Sequence, residues 1–209
     1  MSQITRWHFV RHAPVVNSDG EAAFYKSNDE PSDVSDTEAF KGLARHLPKD
    51  AVWLRSHLQR TKQTADAIRA AGLDFPEPII DPDLAEQDFG DWHGRSRQEL
   101  EQEIDDLEPH KFWIIPAEYE PPGGESFVTV MARVERAIQR HTAAHQGKTI
   151  VAVCHGGVIN AAIGLALGLN SDQSLMFSVA NLSTTRLDRL HGPGLGGDWR
   201  MVFHNMRAR

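Results

Sequence analysis

Three short apolar runs constrain this chain most: ITRWHFV (4–10), AVWLRS (51–56) and TIVAVC (149–154). Each is rich in β-branched or aromatic residues and reads as a buried strand. Each is followed by a helical pattern or a long connection, as parallel strands require. The combination predicts an α/β fold of three layers, α/β/α, around a doubly wound, mostly parallel sheet. The second run leads into HLQRTKQTADAIRAAG, a helix stopped at Gly72, with Ser56 and Gln59 at the spacing of a capping box. After Ser126, the residues Phe127, Val130, Met131, Val134, Ala137 and Ile138 recur at helical spacing and predict an amphipathic helix. GGVINAAIGLALGL, after His155, reads as a mostly buried helix. NLSTTRLDRL and WRMVFHN read as a closing strand pair joined by the glycine-rich HGPGLGG.

Residues 17–38 and 93–124 fit the sheet pattern poorly. The second stretch is acidic and then rich in aromatics and proline (ELEQEIDDLEPHKFWIIPAEYEPPGG). It is expected to be an inserted cover over the sheet edge, without a core of its own, within a single domain of residues 1–209. A length of 209 residues supports one sizeable core. The net charge of −7 excludes a broad nucleic-acid footprint, so a small anionic substrate needs a local cluster of cations. Cys154 is the only cysteine, so no intramolecular disulfide can form and a reducing compartment is expected. No run approaches the roughly 20 apolar residues of a membrane span, and the N-terminus lacks a signal-peptide layout. No membrane partner is expected, and the cytoplasm is the expected location. Oligomeric state has no reading in the sequence.

Four positions fall at or just beyond strand ends, where a doubly wound sheet places ligands. They are Arg11-His12, Arg60 in the first turn of the second helix, Glu86 in LAEQDFGDWHG, and His155 in VCHGGVI. At the last, Gly156 and Gly157 let backbone approach a ligand at a helix start. Singly, each has an ordinary structural reading; Arg60, for example, could pair with Asp66 on the surface. Jointly, two imidazoles, two guanidiniums and one carboxylate are brought together by a parallel sheet. Two guanidiniums and a protonated imidazole are the donors a phosphoryl dianion needs. The other imidazole, kept neutral by nearby cations, is a competent nucleophile. A protonated carboxyl group can supply the leaving group's proton. Phosphoryl transfer relies mostly on positioning and charge stabilisation, so this set needs no metal or other cofactor.

FVRHAPVVN, SHLQRTKQTA, LAEQDFGDWHG, PPGGES and VCHGGV, in this order, resemble the histidine phosphatase superfamily, the phosphoglycerate-mutase-like fold, over nearly the whole chain. The resemblance implies that His12 is the phosphorylated nucleophile. It also implies that Arg11, Arg60 and His155 form the phosphate pocket, with the Gly156 backbone beside it, and that Glu86 is the proton donor. Where the family usually has Gly and then Glu or Thr after Arg-His, this chain has Ala13 and Pro14. Asn17 stands one residue before the family's customary Asn and is expected to contact phosphate. FYKSNDEPSDVSD (24–36) resembles the family's first loop, although Thr37-Glu38-Ala39 replaces the glycine usual soon after it. These changes bear on substrate fit.

The resemblance implies a phosphomonoester hydrolase acting on a small phosphorylated metabolite. A mutase of the same family is the nearest alternative. EQDFGDWHGRSRQELEQEIDDLE resembles the phosphatase branch and is acidic where a mutase needs cations for a second phosphate. Eleven histidines raise a metallohydrolase, but His8 and His12 on one strand stand roughly 13 Å apart at ~3.3 Å per residue. H-E-x-x-H, paired C-x-x-C and EF-hand patterns are missing from the sequence, so no metal site is expected. A non-catalytic module binding phosphate or phosphoprotein would have no need of all five groups.

Overall fold

The computed structural model describes residues 3–16, 25 and 27–208. Its strands are β1 (Ile4–Arg11), β2 (Val52–Arg55), β3 (Ile79–Ile80), β4 (Thr149–Cys154), β5 (Ser183–Leu190) and β6 (Trp199–Arg207). They form one sheet in the order β3-β2-β4-β1-β5-β6. The β3-β2, β2-β4 and β4-β1 pairs are parallel, and β1-β5 and β5-β6 are antiparallel, so the sheet is mostly parallel as expected. β3 was not legible beforehand, because it is two exposed residues at the sheet's edge.

The central strands are buried on both faces, which is why they read as continuous apolar runs. Along β1, Trp7 and Phe9 face one layer and Val10 the other; along β4, Ile150, Ala152 and Cys154 alternate with Val151 and Val153. Helices α1 (Thr37–His46) and α2 (Gln59–Ala70) cover the Val10 face. Helix α3 (Arg97–Ile104) lies in the insertion. Helices α4 (Phe127–Ala144) and α5 (Gly156–Leu167), with the short α6 (Ser171–Ser174), cover the Trp7 face. The result is the α/β/α sandwich. Burying a Leu or Phe in such a layer contributes about 1.5–3 kcal/mol.

Helix ends follow from local chemistry, with one correction. Ser126 caps α4 by accepting from Thr129 N, and α5 ends on Gly168 in the left-handed region (φ 67°). The capping box expected from Ser56 and Gln59 does not form: α2 starts two residues later, after Leu58, without a side-chain cap from its own N-terminus. Instead Asp29 Oδ1 accepts from Gln59 N at 2.7 Å, which leaves the Ser56 hydroxyl for another partner.

The insertion also differs from expectation. Trp92, Leu100 and Ile115 are each at most 1% exposed and, with Phe89, form a separate apolar cluster. Tyr119 stacks on Trp92 at 5.4 Å. Residues 93–124 therefore do have a small core, built partly from the preceding FGDW turn. PPGGES is pinned to that turn by Asp91 N donating to Pro122 O (2.8 Å) and Glu125 N to Asp88 O (2.9 Å). Gly90, at φ 54°, permits the contact, since a Cβ there would collide with the Pro122–Gly124 backbone. No helix among the described residues is long and apolar enough to cross a membrane.

Candidate active site

β1 and β4 are parallel neighbours in which Arg11 faces Cys154. The next residue on each strand is a histidine, so the register sets His12 beside His155. His12 N donates to Cys154 O at 3.0 Å, and the ring centroids are 5.0 Å apart. Asn181 Nδ2 donating to His12 O (2.9 Å), and Ala13 N to Thr64 Oγ1 (2.9 Å), hold the strand tip.

The two imidazoles have opposite tautomers. His12 Nδ1 lies 2.6 Å from Ala13 O. A carbonyl only accepts, so Nδ1 carries the proton and Nε2 a lone pair. His12 Nε2 is buried and has no hydrogen-bond partner among the described residues. Burial above all, then the charges of Arg60 and Arg11, hold the His12 pKa well below the usual histidine value. At His155, Arg60 Nε donates to Nδ1 at 3.2 Å, so the Nε2–H donates to Ser56 Oγ at 2.8 Å. Burial, Arg60 and His12 hold this ring neutral as well. The sequence reading had a protonated imidazole among the phosphate donors; here His155 is a neutral acceptor for Arg60.

Both arginines face this point. Arg11 Nη1 donates to Val179 O. Arg60 is fully buried, donates from Nη1 to Asn28 O at 2.6 Å, and lies over the Tyr25 ring at 5.3 Å. Its ordinary reading as a surface partner of Asp66 does not hold, since Lys62 takes that carboxylate at 2.6 Å. Arg11 Nε and Arg60 Nη2 are buried without partners among the described residues. Two cationic N–H donors and one imidazole lone pair thus converge, which is the donor and nucleophile set a phosphoryl group requires.

Glu86 arrives from the loop beyond β3. Gly157 N, in the first turn of α5, and Gln87 N each donate to Glu86 Oε1 at 3.1 Å. A Cβ at Gly157 would lie 2.5 Å from that oxygen, so only glycine admits the contact. Arg133 of α4 holds the loop from beneath. It donates to the carbonyls of Asp83 (2.9 Å), Ala85 (2.7 Å) and Glu86 (3.2 Å). Its Nε and Nη2 also grip both oxygens of Glu125 at 3.0 and 2.7 Å. Cys154, behind the site, is fully buried; burial and the Glu86 charge raise its thiol pKa, so it stays protonated.

Arg11, His12, Arg60, Glu86, His155 and Gly156 are therefore brought to one place, and Asn17 lies outside the described residues. Arg11, Arg60, Glu86 and Gly156 line a cavity of about 560 Å³. Sequence reasoning missed Ser56, Asn28, Arg133 and Glu125. Glu125 sits inside the quoted PPGGES, Asn28 inside the first-loop stretch and Ser56 at the head of SHLQRTKQTA, so a signal existed for those three, although Ser56 read as a helix cap; Arg133 had none. Among the described residues, no group of three or more His, Cys, Asp or Glu is placed to hold a metal ion.

Comparison with known proteins agrees with this geometry. Residues 7–201 match the histidine phosphatase superfamily (branch 1). A bifunctional protein of Mycobacterium tuberculosis is 38% identical over 122 residues, 58% of this chain and 32% of that protein. The chain thus spans about a third of the length of the first curated relatives it matches. The adenosylcobalamin/alpha-ribazole phosphatase of Salmonella typhimurium is 33% identical over 151 residues, covering 72% of each chain. The glucosyl-3-phosphoglycerate phosphatase of Mycolicibacterium vanbaalenii is 28% identical over 99% of this chain and 97% of its own. A solved mycobacterial hydrolase shares the fold, with a TM-score of 0.79 at 23% identity over 100% of this chain and 93% of that one. Because the family match runs from β1 into β6, and so takes in every strand end that supplies this cluster, the chain belongs to the histidine phosphatase superfamily, branch 1.

Proposed function

We propose that the protein hydrolyses monophosphate esters of small metabolites through a phosphohistidine at His12. One observation carries the reading: His12 Nε2, Arg11 Nε and Arg60 Nη2 are all buried, unpartnered among the described residues, and gathered at the same strand ends. Burying three such atoms is costly unless a ligand meets them, and a phosphoryl group meets all three. Its oxygens accept from the two guanidiniums while phosphorus faces the imidazole lone pair. The named phosphatases among the relatives support hydrolysis as the outcome.

In the first step His12 Nε2 forms a bond to phosphorus and the ester P–O bond breaks. The protonated Glu86 carboxyl gives its proton to the departing alkoxide. In the second step the Glu86 carboxylate takes a proton from water as its oxygen attacks phosphorus. The N–P bond breaks, phosphate leaves, and His12 is neutral again. Arg11 and Arg60 stabilise the charge that spreads over the equatorial oxygens, and His155 orients Arg60. Neither step uses a metal or organic cofactor.

Rapid quenching with a ³²P-labelled monoester tests this. An acid-labile, base-stable phosphoenzyme is expected in wild type, absent from His12→Ala, and undiminished by EDTA. Full turnover in His12→Ala would overturn the assignment, and loss of activity in EDTA would overturn metal independence.

A further inference from the structure

The cavity lining is of two kinds. Arg11, Arg60, Glu86 and Gly157 are its reacting groups. The remaining wall includes Phe89, Phe112, Trp113, Met176 and Phe177. Phe112, Trp113 and Met176 are 61%, 39% and 43% exposed, so large apolar surface is left facing this space. Trp113 lies 6.5 Å from the Phe89 ring. Such a wall suits the flat or apolar face of an organic group.

Asn160 stands in the same lining. It interrupts an otherwise apolar helix whose neighbours Val158, Ile159, Ala161, Ala162 and Ile163 are at most 1% exposed. Asn160 itself is 9% exposed, and its Oδ1 is buried without a hydrogen-bond partner among the described residues. Two other polar side chains of the lining are committed: Gln87 Nε2 donates to Glu125 O, and His93 contacts Tyr25 O and Asp88 Oδ1. Asn160 follows Gly157 by three residues and Gly156 by four, so it shares their face of α5. It lies about 5 Å further along the helix axis than the N–H that meets Glu86. The unmet amide oxygen therefore belongs to the same cavity and the same helix face as the Gly157 N–H that meets Glu86.

We infer that Asn160 reads a hydroxyl on the alcohol portion of the substrate. The substrate class is a monophosphate ester whose alcohol carries a second hydroxyl and a flat or apolar face. A hydroxyl both donates and accepts, so it satisfies the amide in either orientation. A buried group built to hydrogen-bond a substrate penalises an analogue that lacks the partner, because the group is then left unpaired. The inference rests on the phosphatase reading and adds to it the chemistry of the leaving group.

Four esters test it on the purified protein: p-nitrophenyl phosphate, adenosine 5′-monophosphate, its 2′,3′-dideoxy analogue, and ribose 5-phosphate. Wild type should favour adenosine monophosphate over the dideoxy analogue by about tenfold or more in kcat/KM, the scale of leaving one buried polar group unpaired. Adenosine monophosphate should also exceed ribose 5-phosphate, which lacks the ring system. In Asn160→Leu and Asn160→Ala, the hydroxyl preference should collapse towards one while the preference for the ring remains. A wild-type ratio near one, or the same ratio in a variant whose thermal melt shows it folded, would overturn the inference. Phosphate release from p-nitrophenyl phosphate together with indifference to the hydroxyl sinks this inference and leaves the phosphatase reading standing. No release from any ester sinks that reading itself.

Discussion

Ser56 Oγ lies 2.8 Å from His155 Nε2, across 99 residues of sequence, and accepts the proton that the Arg60 contact at Nδ1 keeps on the other nitrogen of this fully buried imidazole. With Nε2 protonated, Nδ1 is free to accept from Arg60 Nε. Ser56→Ala should leave the Nε2–H unsatisfied, which costs about 1–3 kcal/mol of stability. It should also free the His155 ring to turn, so that Arg60 is held less firmly. A fall in kcat of ~10-fold, worth about 1.4 kcal/mol at the transition state, is expected with little change in KM. Steady-state kinetics and denaturant melts of the same preparation check both parts.

Glu86→Gln keeps the side chain's shape and removes the carboxyl proposed as proton donor. An alkyl alcohol leaves poorly without a proton, whereas p-nitrophenolate leaves readily. On an alkyl monophosphate the variant should lose ~10²- to 10⁴-fold in kcat/KM, the usual worth of general acid catalysis. On p-nitrophenyl phosphate the loss should be much smaller. Equal losses on the two substrates would show that Glu86 positions rather than protonates.

Arg133 spans three loop carbonyls and both Glu125 oxygens, a geometry that a point charge cannot reproduce. Arg133→Ala leaves the partly buried Glu125 without its counter-ion, holding only the Asp88 N–H among the described residues. That should cost about 2–3 kcal/mol of stability, below the full cost of breaking a buried pair. Arg133→Lys should restore much of that stability but not the aim of the Glu86 loop. Its kcat on alkyl esters should stay ~10-fold low, the scale of a displaced catalytic group. Full kinetic recovery in the Lys variant would show that charge alone suffices.

Stability should fall as the solution is acidified. His8, on β1, has its pKa pushed from 6.5 down to about 4, mainly by burial and then by Arg186. Below pH 6.5 the unfolded chain takes up a proton there that the folded chain refuses until about pH 4. The contribution is therefore present above pH 6.5 and lost progressively down to about pH 4. At about 1.4 kcal/mol per pH unit, His8 alone accounts for roughly 3 kcal/mol. His12 and His155 are shifted in the same direction and add to the slope. Urea melts across this pH range should show it, and His8→Leu should flatten it.

The parts that local patterning governs were legible in the residues. β1, β2 and β4, the α4 and α5 helices and the closing β5-β6 pair follow from apolar run length, periodicity and caps, which act over a few positions. Arg11, His12, Arg60, Glu86 and His155 stood out because charged and imidazole groups at the tips of buried strands need a reason to be there. The two-residue β3 and the small core around Trp92 were not legible: one is too short to show a period, and the other is assembled from a turn and an insertion that look irregular in sequence.

By itself, then, the sequence determined the kinds of elements, the faces they bury and the chemical groups delivered to the strand ends, because each depends on neighbours a few residues away. Tertiary structure alone decided how those groups are used. The strand order β2-β4-β1 brings Ser56, His155 and His12 side by side, diverting Ser56 from the expected helix cap to a histidine. The packing of α4 under the Glu86 loop gives Arg133 its five acceptors. Hydrogen-bond direction, tautomer and buried charge are properties of groups far apart in the chain, and they exist only once the sheet has placed those groups within about 3 Å of one another.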